Sequence, residues 1–303
     1  MGLVIAFNEL SVFWTLPGAD VSSQLQQVLL DPRIYRVRQS RLLIPRGFRS
    51  TLLSPKLTVG GWLTSLTVSP EARLRLKALF DKSELFESWI DDLIEYRLDD
   101  NLAQGLGLAE RLDGLAFSLH CSTSQPSKNA SRLTLEKVWL ENETLSSATV
   151  IVRHVSSASH WDEHDGWLSD LSTRFPKNGV ELWDELADRY FRLDFCPCVE
   201  GQLRQFIDCG IPLREIMRAL SDLDKYCAAW TDGVFEIRRV GTASGESVTT
   251  MNKFGVLRDF TCPDGLVRRF ENHVKRGNTR VHFREDVVQK RILVGYVGKH
   301  LQI

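Results

Sequence analysis

The stretch HVKRGNTRVHFREDVVQKRILVGYVGKHL, from His273 to Leu301, combines two strand patterns with a high density of cations and histidines. From Thr279 to Arg284, apolar and polar residues alternate, which is typical of a half-buried strand. The run RILVGYVGK, from Arg291 to Lys299, is a second strand candidate. Joined by EDVVQK, the two runs predict a hairpin with a long loop.

Strand alternation predicts which side chains of the first run share a face. Val281 and Phe283 point one way, and Arg280, His282 and Arg284 point the other way. If the two apolar residues pack inward, the three polar residues form a row. That row would face outward or into a cleft.

The second run contains two glycines, Gly295 and Gly298, which leave the backbone open to close approach. Alternation predicts two faces, one with Ile292, Val294 and Tyr296 and the other with Arg291, Leu293, Val297 and Lys299. We expect His273, Lys275 and His300 to converge with Tyr296 on one neighbourhood.

Charge is distributed unevenly along the chain. The whole chain carries a formal charge of −1, but residues 268–300 hold nine Lys and Arg against three Asp and Glu, so this region carries +6 and the rest −7. A local field of this kind attracts phosphate groups. The candidates for contact with a nucleic-acid backbone are Arg268, Arg269, Lys275, Arg276, Arg284, Arg291 and Lys299.

Length and composition indicate a globular protein. At 303 residues, the chain suffices for one large domain or two of ordinary size. Hydrophobic and charged contents of 43% and 25% argue against extensive disorder. No apolar run approaches the roughly 18 residues that span a bilayer, and MGLVIAFNEL lacks the basic segment of a secretory signal. We therefore expect a cytoplasmic protein with no membrane partner and with reduced cysteines.

Periodicity predicts an α+β fold in which strands, helices and strands follow one another. Short apolar runs up to about residue 60 indicate short strands, and KLTVGGWLTSLTV is one of these runs. The segment after Ser69 predicts two helices with a break near Asp81. Residues 114–121, 133–141 and 148–155 predict an antiparallel meander with one covered face. Helices are predicted at 161–173, 180–190, 200–209 and 212–230.

These patterns divide the chain into three predicted regions. Residues 1–158 form an N-terminal α+β domain with an antiparallel sheet and helices, and residues 159–240 form a helical segment. Residues 241–303 form a basic, β-rich domain with a small antiparallel sheet. A region of that size would be marginal without packing on the rest of the chain.

The sequence HWDEHDGW contains His160, Glu163 and His164 in the His-x-x-Glu-His spacing of one class of zinc peptidase. Two imidazoles one helical turn apart can share a metal ion with a carboxylate base beside them. Ser159 and Asp162, however, indicate an ordinary helix cap, and nothing downstream marks a third ligand. The sequence therefore favours a solvated first helical turn over a metal site.

Other motifs give no support for a metal or a cofactor. Cys196 and Cys198 form a single close pair, and the cysteines that follow lie in helical runs among apolar neighbours. The glycine patterns of phosphate-binding loops, dinucleotide-binding turns and nucleophile elbows do not occur. We expect no metal site and no cofactor.

The segment from Asp264 to Leu301 resembles the terminal sheet of RelE-type toxin ribonucleases. It is also similar to the C-terminal ends of uncharacterised bacterial proteins associated with phage-defence loci. A His-x-Lys segment, His273 to Lys275, precedes the Arg-Val-His-Phe strand, and the ending Gly-Tyr-Val-Gly-x-His-Leu follows it. No family is recognised for the rest of the chain.

The resemblance implies a RelE-like sheet and metal-independent cleavage of RNA. In this reaction the RNA's own 2′-hydroxyl attacks the adjacent phosphate, basic side chains stabilise the developing charge, and other groups move protons. Lys275 and Arg280 would contact the phosphate, and His282, Tyr296 or His300 would act as base or acid. RelE toxins are free-standing small domains, whereas this sheet follows a long N-terminal portion. This difference argues against catalysis more than it argues against phosphate contact.

The sequence supports three functional hypotheses. The first is a subunit of a bacterial anti-phage defence complex that binds RNA or DNA backbone through its basic C-terminal sheet. The second is a RelE-like toxin ribonuclease that acts as the effector of such an antiviral system. The third is a non-catalytic scaffold that binds other protein subunits through its N-terminal sheet, with Trp14, Trp62 and Trp139 as candidate contacts.

Overall fold

The computed structural model describes residues 3–14, 21–36, 40–65, 68–90, 93–119, 128–141, 144–231, 233–240 and 242–301. These ranges contain helices and several sheets, which confirms the α+β class. The chain divides into two compact units: unit 1 comprises Met1–Leu140 and Leu145–Phe175, and unit 2 comprises Pro176–Ile303 with Glu141–Thr144. The predicted divisions lie instead after residues 158 and 240. Among the helices in the described ranges, none combines the length and apolar character needed to cross a bilayer.

The strands before residue 176 are β1 (Val4–Phe7), β2 (Arg41–Ile44), β3 (Leu52–Ser54), β4 (Leu57–Thr58), β5 (Glu84–Leu85), β6 (Ile94–Leu98), β7 (Asn101–Leu102), β8 (Leu115–Phe117), β9 (Arg132–Glu141) and β10 (Thr144–Val155). The helices of this part are α1 (Ser22–Leu29), α2 (Pro32–Arg36), α3 (Val59–Thr64), α4 (Pro70–Asp81), α5 (Gln104–Arg111) and α6 (Asp165–Arg174). The helices that follow are α7 (Gly179–Arg189), α8 (Cys198–Leu203), α9 (Ile211–Ala229) and α10 (Val248–Phe254). The remaining strands are β11 (Leu193–Phe195), β12 (Ala243–Gly245), β13 (Asp259–Thr261), β14 (Val267–Arg269), β15 (Asn272–Arg276), β16 (Thr279–Asp286) and β17 (Arg291–Lys299).

The large sheet of unit 1 is mixed, with the strand order β5-β2-β1-β8-β10-β9-β6-β7. Strands β5, β2, β1, β8 and β10 pair in parallel, whereas β6 is antiparallel to both β7 and β9. The sheet is therefore mixed rather than antiparallel as predicted, because β8 pairs with β10 in parallel. β1 and β8 are short apolar runs that are buried throughout, which is typical of parallel strands covered on both faces.

Two local predictions for unit 1 are also corrected. KLTVGGWLTSLTV contains the helix α3, whose first turn is capped by the Thr58 hydroxyl accepting from the Gly61 N–H at 3.1 Å. The helix predicted before Asp81 is α4, but residues 84–88 form β5 and a short 3-10 turn where a second helix was expected. Side chains of β1, β2 and β8 and of the surrounding helices make one apolar core.

Unit 2 contains a five-stranded sheet in the order β11-β17-β16-β15-β12. Strand β11 is parallel to β17, and the other neighbours are antiparallel. The predicted hairpin of the carboxyl-terminal stretch is formed by β16 and β17. The long amphipathic helix α9 packs on one face of β15, β16 and β17.

A β-bulge at Gly295 interrupts the pairing of β16 with β17. His282 lies opposite Tyr296, but the next residue, Phe283, lies opposite Val294, so Gly295 is the extra residue. The strand therefore continues past the bulge with its side chains on reversed faces.

The bulge decides which residues of β17 reach the core. Val297 joins Ile292 and Val294 among the buried side chains, while Tyr296 lies beside His282 on the opposite face. The predicted alternation, which grouped Tyr296 with Ile292 and Val294, is therefore wrong. Simple alternation cannot include a residue that has no counterpart on the neighbouring strand.

Two aromatic rings cover the sheet face that lies opposite α9. Phe260 of β13 and Phe270, which follows β14, have ring centroids 5.4 Å apart. A Cβ atom on Gly295 would lie 2.7 Å from Phe270 Cδ1 and 2.8 Å from Phe260 Cδ2. Glycine is thus required at the bulge because the chain's own aromatic rings approach the backbone there.

Replacing Gly295 with alanine should destabilise the protein by about 1–3 kcal/mol, because the new methyl group overlaps two packed rings. Urea denaturation followed by circular dichroism measures this loss. Gly201→Ala in α8 is the matched control, since a Cβ there meets nothing within 4 Å. It should be neutral or stabilising by up to about 1 kcal/mol. Equal stability of the two variants would contradict the packing described.

Candidate functional site

Four of the five residues predicted to be catalytic lie in two adjacent rows on one face of the unit 2 sheet. The first row consists of His273 on β15, His282 on β16 and Tyr296 on β17, which are aligned by the strand register. In the second row, Lys275 of β15 lies opposite Arg280 of β16. The fold therefore gathers these side chains from three strands.

His300, the fifth residue, follows β17 directly. Its backbone N–H donates to the carbonyl oxygen of Asn278 at 3.1 Å, and its imidazole lies within electrostatic range of Arg280 and Glu246. Burial and the charge of Arg280 lower the pKa of His300. We call the following group the histidine face: Glu246, His273, Lys275, Arg280, His282, Tyr296 and His300.

The histidine face is largely covered at its centre and open at its margin. His282 is 1% exposed and Arg280 is 8% exposed. The prediction that the row faces outward or into a cleft is therefore wrong for these two residues. The backbone of Phe270 lies against His282, and the Arg280 guanidinium is bonded to carbonyl groups of its own turn. Lys275 and Tyr296 are half-buried, and His300 is exposed.

The two central histidines are neutral at pH 7. Burial, together with the smaller effect of the neighbouring His273, lowers the pKa of His282 to about 3. Burial likewise lowers the pKa of His273 to about 4, against the opposing effect of the Glu246 carboxylate. The two ring centroids are 5.3 Å apart, and that of His282 is 5.7 Å from the ring of Tyr296. Each imidazole consequently has one unprotonated nitrogen.

Glu246 was not identified in the sequence, nor was Arg258, its partner. Arg258 is completely buried, and two of its guanidinium nitrogens lie 2.7 and 2.8 Å from Oε1 of Glu246. The same oxygen lies 3.9 Å from Nδ1 of His273. No local signal marks these residues, because α10 separates them along the chain and only the tertiary fold joins them to β15.

Hydrogen bonds to backbone carbonyls hold Arg280 of the second row and Tyr296 of the first row in place. Arg280 Nη1 donates to the carbonyl oxygens of Gly277 at 2.8 Å and Thr279 at 2.9 Å. The Tyr296 hydroxyl donates to the carbonyl oxygen of Lys299 at 2.8 Å, and burial raises the pKa of that phenol. The face is thus preorganised on rigid strands, which suits a binding site.

The residues predicted to contact nucleic acid differ in whether they form ion pairs with carboxylates and in where they lie on the sheet. Four of them form ion pairs within unit 2: Arg268 with Asp264, Arg269 with Asp259, Arg276 with Asp222, and Arg291 with Asp194. Lys275 lies on the histidine face, whereas Arg284 and Lys299 are exposed elsewhere on the sheet. The cations of the tail therefore do not combine into one continuous basic surface.

A cleft of about 600 Å³ on unit 2 illustrates this neutralisation. Arg268 and Arg284 contribute to its lining, but so do Asp194, Asp264 and Asp286. An anionic polymer would meet carboxylates as well as guanidinium groups there. The histidine face is consequently the better candidate for an anion site.

Unit 1 contains a second buried polar group, centred on His154. Its Nδ1 lies 2.6 Å from the carbonyl oxygen of Ala130, and its Nε2 lies 2.6 Å from Oγ of Ser118. Ser118 Oγ also accepts from Asn8 Nδ2 at 2.9 Å. These contacts fit a neutral imidazole that donates through Nδ1 and accepts at Nε2. Both His154 and Ser118 are fully buried, so the group ties β1, β8 and β10 together.

The His-x-x-Glu-His motif surrounds this group. His160 Nδ1 accepts from the Ser156 N–H at 3.3 Å, and His164 Nε2 contacts the carbonyl oxygen of His154 at 3.2 Å. Residues 158–164 form a 3-10 helix in which both histidines are buried. The prediction that this helical turn is solvated is therefore wrong. One ring nitrogen of each histidine therefore contacts the local backbone.

The cysteine pair is likewise engaged in the fold. Cys196 is buried, and burial raises the pKa of its thiol to about 12. The Cys198 thiol donates to the carbonyl oxygen of Gly295 at 3.2 Å. Both thiols are therefore protonated at neutral pH, which is unfavourable for metal coordination.

Comparison with models of protein families, with curated proteins and with solved structures gives no match to this chain.

The buried His154 should make stability fall with decreasing pH. Burial lowers its pKa from 6.5 to about 4 in the folded state, so between these values the unfolded chain binds a proton that the folded chain excludes. Its contribution is complete above pH 6.5 and is lost as the pH falls towards 4. Urea denaturation at several pH values gives the free energy of unfolding as a function of pH. The slope of this free energy against pH should be smaller in His154→Gln than in the wild type, by the contribution of about one proton.

The control for this comparison is His300→Gln, which removes an exposed histidine. In this variant the free energy of unfolding should depend on pH nearly as it does in the wild type. An unchanged slope in His154→Gln would mean that this imidazole titrates normally in the folded protein.

Proposed function

We propose that the protein binds the phosphate backbone of a nucleic acid through the histidine face, as a subunit of a bacterial anti-phage defence complex. The observation that carries this proposal is the register of β15, β16 and β17. It places Lys275 and Arg280 side by side, next to a row that contains two histidines and a tyrosine. The role in defence rests on the resemblance of the segment from Asp264 to Leu301.

The chemistry of this group suits a phosphate. An ammonium group supplies charge-assisted donors to phosphate oxygens, and an imidazole or phenol can add a neutral hydrogen bond. Lys275, Tyr296 and His300 reach the surface, so a strand of nucleic acid can approach them without unfolding the sheet. The buried Arg280 would contribute mainly through its positive charge at short range.

The proposed contact surface is narrower than the sequence indicated. Ion pairs with aspartates engage Arg268, Arg269, Arg276 and Arg291. Binding through all of the tail's cations would require those pairs to break. A compact site predicts few phosphate contacts and therefore a shallow dependence of affinity on salt.

Removing the two cations of the second row should weaken binding and flatten its salt dependence. For single-stranded RNA, the logarithm of the binding constant falls with the logarithm of the salt concentration. In Lys275→Ala/Arg280→Ala this slope should become less steep by about 0.7 for each phosphate contact removed. Fluorescence anisotropy with a labelled oligonucleotide measures this slope. Lys275→Ala alone provides the same test with less risk to the fold, because Arg280 also ties the β15–β16 turn.

The matched control is Arg268→Ala/Arg269→Ala. It removes the same formal charge from the same unit, but from ion pairs on the β13–β14 hairpin. Its slope should stay close to that of the wild type. Equal effects of the two double variants would show that general charge, rather than the histidine face, governs binding.

Cleavage of RNA is a second candidate function, favoured by the position of His300. This exposed imidazole lies within electrostatic range of Arg280, so it could move a proton near a bound phosphate. His282 is less suited to this role because it is covered and its pKa is strongly lowered. Non-catalytic binding needs none of these proton transfers, and the geometry supports it better.

This second candidate predicts RNA fragments that end in 2′,3′-cyclic phosphate and form in the presence of EDTA. His300→Ala should then slow cleavage by about 100-fold or more, because a general acid or base is removed. Product analysis by mass spectrometry identifies the cyclic end. Cleavage that EDTA abolishes would contradict a RelE-like reaction.

The scaffold hypothesis has weaker support among the residues proposed for it. Trp62 is buried in the core of unit 1, and Trp139 is only half-buried on β9. The side chain of Trp14 lies outside the described residues. An aromatic contact surface for a protein partner would need more exposed rings than these two positions offer.

A further inference from the structure

We propose that Glu246, His273 and His282 form a binding site for a divalent transition-metal ion of the zinc type. Each residue offers one donor atom, and the three donor atoms lie within 4.8 Å of one another. The donors come from β15, β16 and the turn after β12, so the strand register and the covering hairpin bring them together. This site would lie in the covered part of the histidine face.

The donor set is typical of zinc. Two imidazoles and one carboxylate at about 2.0–2.2 Å leave a fourth tetrahedral position for water or another ligand. Donors at such distances lie about 3.3 Å apart, so side-chain movements of an ångström or so would close the observed group around an ion. Imidazole ligands favour zinc and its neighbours over magnesium or calcium, which prefer oxygen.

An unsatisfied nitrogen supports the proposal independently of donor type. Nδ1 of His273 is buried and, among the described residues, has no hydrogen-bond partner. It lies 3.9 Å from Oε1 of Glu246, which is too far for a hydrogen bond. A buried polar atom without a partner is unfavourable, and a metal ion between the imidazole and the carboxylate would satisfy it.

Surrounding groups orient the other two donors. Nδ1 of His282 lies 3.4 Å from the carbonyl oxygen of Phe270, which leaves Nε2 as the nitrogen for a metal. Arg258 contacts Oε1 of Glu246 through two nitrogens, so a bound ion would share this carboxylate with the guanidinium group. Because Arg258 is a cation that shares this carboxylate, we expect zinc to bind more weakly here than at a closed four-ligand site.

Titration of Zn²⁺ into the untagged 303-residue chain tests the site, after EDTA treatment and removal of the chelator by dialysis. Isothermal calorimetry should show one saturable site per chain. Glu246→Gln and His282→Asn should each lower the affinity by about 100-fold or more, because each removes one of three ligands. Glu271→Gln, which changes an exposed neighbouring carboxylate outside the donor set, should bind zinc as the wild type does.

Cobalt provides a second readout that needs no variant. Co²⁺ bound by two imidazoles and a carboxylate in a tetrahedral site should give the wild-type protein intense visible absorption, and Zn²⁺ should displace it. Absence of saturable binding in the wild type would overturn the proposal, as would wild-type affinity in both ligand variants.

These measurements contain no nucleic acid, so they are independent of the proposed function. A protein that binds RNA with the expected salt slope but takes up no metal would refute the metal site alone. A protein that takes up the metal but binds RNA without the expected salt slope would refute the phosphate site alone.

Discussion

The bulge at Gly295 is the constraint on which the arrangement of unit 2 depends. One extra residue in β17 lets Val297, Val294 and Ile292 all point to the face covered by α9, although regular alternation would separate Val297 from the other two. The same extra residue brings Tyr296 beside His282. A regular strand could fill the core or complete the polar row, but not both, because alternation has a period of two.

The bulge depends in turn on close packing. Phe260 and Phe270 lie so near to Gly295 that a single methyl group would overlap them. These rings exclude water from the centre of the histidine face, and the exclusion of water lowers the pKa values of His273 and His282. A packing feature of the backbone thus determines the protonation state of two side chains.

The sequence predicts local features well where one short segment carries the signal. The pattern of the tail predicts β16 and β17, and Ser69 with the proline after it predicts the start of α4. Those features depend on alternation and capping, which operate within a few residues. The mixed order of the large sheet depends instead on which distant strands meet, and β8 gives no local sign that its partners are β1 and β10.

The sequence anticipates which candidate residues share one face, but not which cations of the tail are paired. Lys275, Arg280 and His282 come together because they lie on the neighbouring strands β15 and β16, and Tyr296 joins them through the bulge at Gly295. The charges of Arg276 and Arg291 are paired with Asp222 and Asp194, which lie far away in the sequence. Counting cations within one segment therefore overestimates the positive field, since it omits carboxylates that the fold brings in.

The two proposals concern neighbouring parts of one face, and they are linked through charge. The margin of the histidine face offers Lys275 and His300 to an anion, whereas its covered centre offers neutral imidazoles and one carboxylate. A divalent ion at the centre would raise the positive potential at the margin, and a phosphate at the margin would reduce the cost of placing that ion beside Arg258. Because such coupling is reciprocal, metal would strengthen phosphate binding by the same factor as phosphate would strengthen metal binding. A neutral centre would allow one small face to accommodate both proposed ligands, since protonated histidines would repel the ion.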